Sequence, residues 1–175
     1  MTLTEILPTL RRSIPTPLDR WRWPTHSEPT TTDVVVGGIS LMRLFEISGS
    51  PAVLTGDLPI PGTGTDVTVL LLRITLRVDT QEDKRIALTD CCFDGVDAAW
   101  EECRLIGRAS SARATSIELI PGEQGEVAWP HPVAMLPADL REGDLVVVPC
   151  LGAVTLGDVR PRTAGAVPLP EEVSR

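Results

Sequence analysis

The sequence predicts a mainly β protein, a small β-barrel or sandwich with one or two short helices. Three observations predict it. Short runs rich in Val, Ile, Leu and Thr recur along the chain, clusters of Gly, Pro and charge divide them about every dozen residues, and helical spacing is confined to short segments. Strands alternating with long helices would have indicated a doubly wound sheet, and that pattern is missing. At 175 residues the chain fits one domain. A chain of that size buries roughly 70% of its unfolded surface, enough core to stand without disulfides.

In order, residues 2–13 place Leu3, Ile6, Leu7 and Leu10 at helical spacing, with Pro8 interrupting the run, so at most a short helix is expected. Residues 14–33 hold four prolines and no apolar period, which predicts an extended arm over 1–32. Trp21 and Trp23 stand out on it, because leaving both wet forfeits several kcal/mol at roughly 25 cal/mol per Å². They are expected to lie in a groove of their own domain or of a partner. A single β-rich domain spans 33–157. It opens with a strand in DVVVGG (33–38), followed by a helix over 39–49 closed by Gly49. SPAVLTG (50–56) and the loop before 67 lead to VTVLLLRITLRVDT (67–80), the longest β-rich run. Its first half suits burial on both faces, and Ile74, Leu76 and Val78 alternate with polar residues in the second half, so that half should face water. QEDK (81–84) reads as a turn and 85–92 as its hairpin partner. Strands are also expected at 101–108, 115–120 and 143–150, with one helical turn at 94–100. The tail, 158–175, is rich in Pro, Gly and charge and reads as loosely held.

Composition bounds the function. Sixteen basic and 24 acidic residues give a formal charge of −8, which repels nucleic-acid phosphate and anionic lipid. No apolar run is long enough to span a bilayer, and two arginines follow the N-terminal apolar stretch, the reverse of a secretory leader, so a cytoplasmic protein is expected. One lysine against 15 arginines, no tyrosine, and abundant Ala, Gly, Pro and Val fit a GC-rich bacterial coding sequence.

Catalytic and metal signatures are weak. Cys91, Cys92, Cys103 and Cys150 contain no C-x-x-C pair, and neighbouring cysteines on a strand point to opposite faces, so core packing is expected in place of a zinc site. His26 and His131 lack an i+4 partner. There is no G-x-S-x-G elbow. PGTGTD (61–66) lacks the ending of a phosphate loop and precedes a strand, and ADLREGD (138–144) reads as a solvated turn. No metal, no cofactor and no catalytic residue are expected.

The stretch 129–157 carries Leu-Pro-x-x-Leu-x-x-Gly-Asp at 136–144, an apolar strand, and then Gly152, Ala153, Val154 and Thr155. It resembles the end of the C-terminal β-domain of fold-type III pyridoxal-phosphate decarboxylases, relatives of diaminopimelate and ornithine decarboxylase with an alanine-racemase-like C-terminal domain. There the sequence is Gly-Ala-Tyr-Thr and the tyrosine helps hold the cofactor phosphate; here it is Val154. Residues 37–57, with Gly49, Ser50 and Pro51, resemble that family's N-terminal entry. The family's long barrel insertion has no room in this chain, and its Cys-Asp-Ser motif has no counterpart near 106–114. A pyridoxal enzyme also needs an activated lysine, whereas Lys84, the only one, is expected in a solvated acidic turn and not in the desolvated setting that would activate it.

The resemblance implies a non-catalytic, stand-alone β-domain with a degenerate active site, acting as an accessory or structural subunit. It would be a homodimer or the companion of a separate protein subunit, meeting its partner through Trp21, Trp23, Leu151, Gly152, Ala153, Val154 and Thr155. The alternative is a small-molecule-binding or catalytic β-barrel of another biosynthetic family.

Overall fold

A computed structural model of the chain describes residues 3–58, 66–80, 84–122 and 130–160. In chain order it contains α1 (Leu3–Ile6), a 3-10 turn (Pro8–Arg12), β1 (Ser27–Pro29), β2 (Val34–Val36), β3 (Ile39–Ser40), α2 (Leu41–Ser48), β4 (Ala52–Asp57), β5 (Asp66–Asp79) and β6 (Arg85–Thr89). There follow a 3-10 turn (Trp100–Glu102), β7 (Arg104–Ile106), β8 (Ala114–Pro121), β9 (Val133–Pro137), β10 (Leu145–Leu151) and α3 (Leu156–Val159). The protein is mainly β, with a nearly closed, barrel-like sheet.

β5 is the spine. Its first half pairs with β10 on one edge and β4 on the other, and its second half pairs with β6 after a bulge between Ile74 and Leu76. The sheet then runs β6, β8, β9 on one side and β10, β7 on the other, antiparallel except for the parallel β6–β8 pair. Alternation divides the side chains as the period of two requires. Leu70, Leu72 and Ile74 of β5, Ile117 and Leu119 of β8, Leu136 of β9, and Val146 and Val148 of β10 fill the barrel interior.

A second core lies outside the wall. Val69 and Leu71 of β5 and Leu145 and Val147 of β10 turn outward and pack under Trp23, Val34, Val36 and Leu41. Those residues come from the N-terminal layer, in which β1, β2 and β3 form a small antiparallel sheet and α2 lies beside it. α2 begins where Ser40 Oγ accepts the Arg43 N–H at 3.0 Å, and it ends at Gly49, whose φ of 76° is a conformation glycine adopts without a Cβ penalty. The two-face burial expected for the first half of the long strand is therefore the barrel core on one side and this layer on the other.

Several expectations are corrected. The segment 1–32 is not simply an extended arm: β1 pairs with β2, and Trp23 is 1% exposed in the outer core. Trp23 therefore packs within its own domain, one of the two grooves expected for it. The run at 101–108 is a strand only over Arg104–Ile106, preceded by a 3-10 turn, and 94–99 forms no helix. β9 lies where no strand was expected. In the tail, Thr155 caps α3 and Val159 is fully buried, while 161–175 lies outside the described residues, as do 81–83 of the charged turn and 61–65 of PGTGTD.

Candidate functional site

The outer wall of the barrel has two halves. Over β4, β5, β10 and β7 it is covered by the N-terminal layer. Over the second half of β5 and over β6 and β8 no described residue forms such a layer, and the N-terminal segment reaches β9 only at the seam, where it shares a cleft with Met135 and Pro137. There Leu76 and Val78 are 44% and 42% exposed, and Val133 and Met135 are 51% and 56% exposed. The register sets these side chains in rows. Val78, Ile86, Glu118 and Val133 are successive cross-strand neighbours, and Leu76, Leu88 and Ile120 form the adjacent row. Ile86, Leu88 and Ile120 are half-buried and belong to neither core. Glu118 is the one carboxylate within these rows. On β8 the outward Ser116 and Glu118, opposite Met135 and Val133, divide the apolar residues of β9 from those of β5 and β6. Clustered exposed apolar side chains of this kind are a feature of interaction surfaces.

The residues expected at an interface are dispersed. Trp21 and Leu151 are half exposed, at 51% and 50%, and together with Pro149, Asp97 and Glu101 they line a hollow of about 230 Å³. The Arg20 guanidinium stacks over the Trp21 ring, 4.7 Å from its centroid. Trp23, two residues on, donates its indole N–H to Glu102 Oε2 at 2.9 Å. The same oxygen accepts from Arg104 Nη2 at 2.9 Å and from the Asp19 N–H at 3.2 Å, so Glu102 fastens the N-terminal segment to the barrel. Gly152 and Val154 are held from inside: Thr68 Oγ1 donates to the Gly152 carbonyl and accepts the Val154 N–H, each at 2.9 Å. Val154 packs against the barrel core, Ala153 is exposed, and Thr155 donates its hydroxyl to Asp158 at 2.6 Å. The turn at 151–155 therefore leaves Leu151 and Ala153 exposed, while Gly152, Val154 and Thr155 are tied into its own fold.

A second concavity, about 590 Å³, lies where the barrel fails to close, between β7 and β9 and beneath the N-terminal segment. It is lined by Arg11, Arg104, Arg108 and Arg113. Arg108 bridges the seam's end, with Nη2 at 2.6 Å from Asp144 Oδ2 and Nη1 at 3.2 Å from Asp139 Oδ2. Hydrogen bonding to Asp144 holds the guanidinium still further above its already high value, against the opposing effect of partial burial. At Asp139, partial burial favours the neutral acid, but the hydrogen bonds from Ser110 and Arg108 prevail and hold its pKa below the usual carboxylate value.

The cysteines are free thiols. Cys91, Cys103 and Cys150 sit in the barrel core, and Cys92 is half-buried with Sγ 3.4 Å from Asp94. Burial pushes the Cys91 and Cys103 thiols well up and Cys150 to about 12, so these are poor nucleophiles at neutral pH. Among the described residues no group of His, Cys, Asp and Glu is arranged to hold a metal ion, and no helix is long and apolar enough to cross a membrane.

Sequence reasoning missed both the seam and the apolar face. Arg11 and Arg113 are about a hundred positions apart and meet only in the fold. PVAMLP showed no polar alternation because its outward residues are apolar too. That doubly apolar run was itself the available signal. No protein-family model matches the chain, and no curated protein matches it.

Proposed function

We propose that this protein is a non-catalytic β-barrel domain that works as an accessory or structural subunit, assembling with a second copy of itself through the apolar outer face of β5, β6, β8 and β9. The observation that carries the reading is the contrast on one wall: outward apolar residues packed under the N-terminal layer on one half, and outward apolar residues with no described cover on the other. The likeness of 129–157 to a decarboxylase C-terminal domain, with valine at the cofactor-binding tyrosine position, supports a subunit role without pyridoxal chemistry.

A second copy suits this face because it supplies the same apolar rows. A two-fold axis placed off Glu118 stacks row on row while keeping the two carboxylates apart, as aligned sheets pack at about 10 Å. A stable dimer needs about 800 Å² per partner, so the rows form the dry centre and the polar strand ends form the rim. Each copy carries −8, so salt should strengthen the association by screening like charges.

Sedimentation of the wild type across a concentration series, against Val133→Asp, tests this. The expected result is a dimer that tightens with salt and a folded monomer for Val133→Asp. A wild type that stays monomeric throughout contradicts the reading, as does a Val133→Asp chain that still dimerises.

A further inference from the structure

The seam cleft has a charge balance unlike the rest of this acidic chain. Of its four arginines, Arg108 is neutralised by Asp139 and Asp144, and Arg104 by Glu102 at 2.9 Å. The cleft's own acids are committed elsewhere. Asp33 accepts the Val34 and Met42 N–H groups at 2.8 and 3.1 Å and the Ser40 hydroxyl, and Glu101 pairs with Arg22 at 3.3 Å.

Two guanidiniums remain. Arg11 reaches only a carbonyl, that of Ala112, at 3.4 Å, and its buried Nε has no hydrogen-bond partner among the described residues. Arg113, one residue beyond Ala112 and exposed, has no carboxylate partner among the described residues. The Arg104 Nε is likewise buried without an acceptor. Placing like charges together with unspent donors is unfavourable unless an anion completes the set.

The main chain adds donors. Ala99 N–H bonds to the Pro149 carbonyl and Ala138 N–H to the Arg113 carbonyl, which fixes the hydrogen-bonding alternation on both sides of the gap. With the registers of β7 on β10 and β9 on β8, that alternation turns the backbone groups of Leu105 and Met135 away from their paired strands and toward the seam. Gly107, on the same free edge, already spends its N–H on the Thr32 carbonyl at 2.7 Å.

We propose that the seam cleft binds the phosphate or carboxylate group of a small molecule, held between Arg11 and Arg113 with Arg104 as a further donor. Its volume lies within the range of small-molecule sites. Guanidinium forks suit both oxyanions because two parallel N–H groups match two oxygens. Met135 of the apolar face also lines the cleft, but the contacts assigned to Arg11, Arg113 and Arg104 do not rest on dimerisation.

The test is calorimetric titration of the full chain with inorganic phosphate and with citrate, at constant ionic strength set by chloride. Saturable one-to-one binding is expected, weakened about tenfold or more by Arg113→Gln and by Arg11→Gln, as loss of a charged hydrogen-bond donor implies. Arg43→Gln, on α2 and away from the cleft, should leave it unchanged. Tighter binding of phosphate would identify a phosphate-bearing ligand, and tighter binding of citrate a carboxylate. Should Arg11→Gln unfold the chain, exposed Arg113→Gln still decides the question. Failure of both anions to saturate, or unaltered binding by Arg113→Gln, overturns the proposal.

Discussion

One half of the barrel's outer wall is roofed by the chain's first fifty residues, and the other half, built on the same alternation of apolar residues, has no such roof among the described residues. Leu71 and Val147 on the first half are fully buried, while Leu76 and Met135 on the second are 44% and 56% exposed. Burial of an outward apolar residue is therefore decided less by the strand that carries it than by what the rest of the chain lays over it. Trp21 and Trp23 make the same point within a single arm. The indole that finds Glu102, 79 positions away in sequence, enters the core, and the one stacked on Arg20 stays half in solvent.

Mutations should separate the two halves. Trp23→Ala empties the outer core and removes an indole hydrogen bond, and is expected to cost about 3–5 kcal/mol, read by denaturant unfolding. Leu76→Ala is expected to stay within about 0.5 kcal/mol for the dilute monomer, where that side chain has no core to leave. Equal losses at the two positions would erase the distinction drawn here.

A smaller effect comes from the stitch between the halves. Asp139 follows β9 on the uncovered half and binds Ser110 and Arg108, which follow β7 on the covered half, at 2.6 and 3.2 Å. Its pKa is lowered in the folded state, so its stabilisation is present above the unfolded carboxylate value and is lost as pH falls through the lower folded value. Stability of the wild type should therefore fall below about pH 4. Asp139→Asn should flatten that dependence, measured by thermal unfolding between pH 2 and pH 7.

The thiols give the mildest contrast. Half-buried Cys92 should react with a thiol reagent in the native protein, whereas Cys91, Cys103 and Cys150 should react only on unfolding. Rapid native reaction of more than one thiol would show that the barrel core opens readily.

Strands were legible where alternation or a strong apolar run stood alone: β2 of the outer sheet and β5, β6, β8 and β10 of the barrel follow the sequence pattern, and α2 ends at the glycine that the spacing indicated, whereas the pattern of 50–56 did not mark β4 as a strand. β1 was not legible. Ser-Glu-Pro has no strand character of its own and is a strand because it pairs with β2. Of the interface residues read from sequence, Trp21 and Leu151 do share a hollow, but the fate of Trp23 depended on a distant carboxylate that no local pattern reveals. The arginine-lined seam is equally invisible, because it exists only where two strand edges fail to meet.

The uncovered half carries its own reporter, since Met135, next to Val133 on the outer face of β9 and at the rim of the seam cleft, is exposed. Its oxidation by hydrogen peroxide, followed by peptide mass spectrometry across a range of protein concentrations, measures directly whether that face becomes covered. The account predicts that oxidation of Met135 slows as concentration rises, in step with dimer formation in sedimentation. A Met135 rate independent of concentration, in a sample that does associate, would place the contact elsewhere and contradict it.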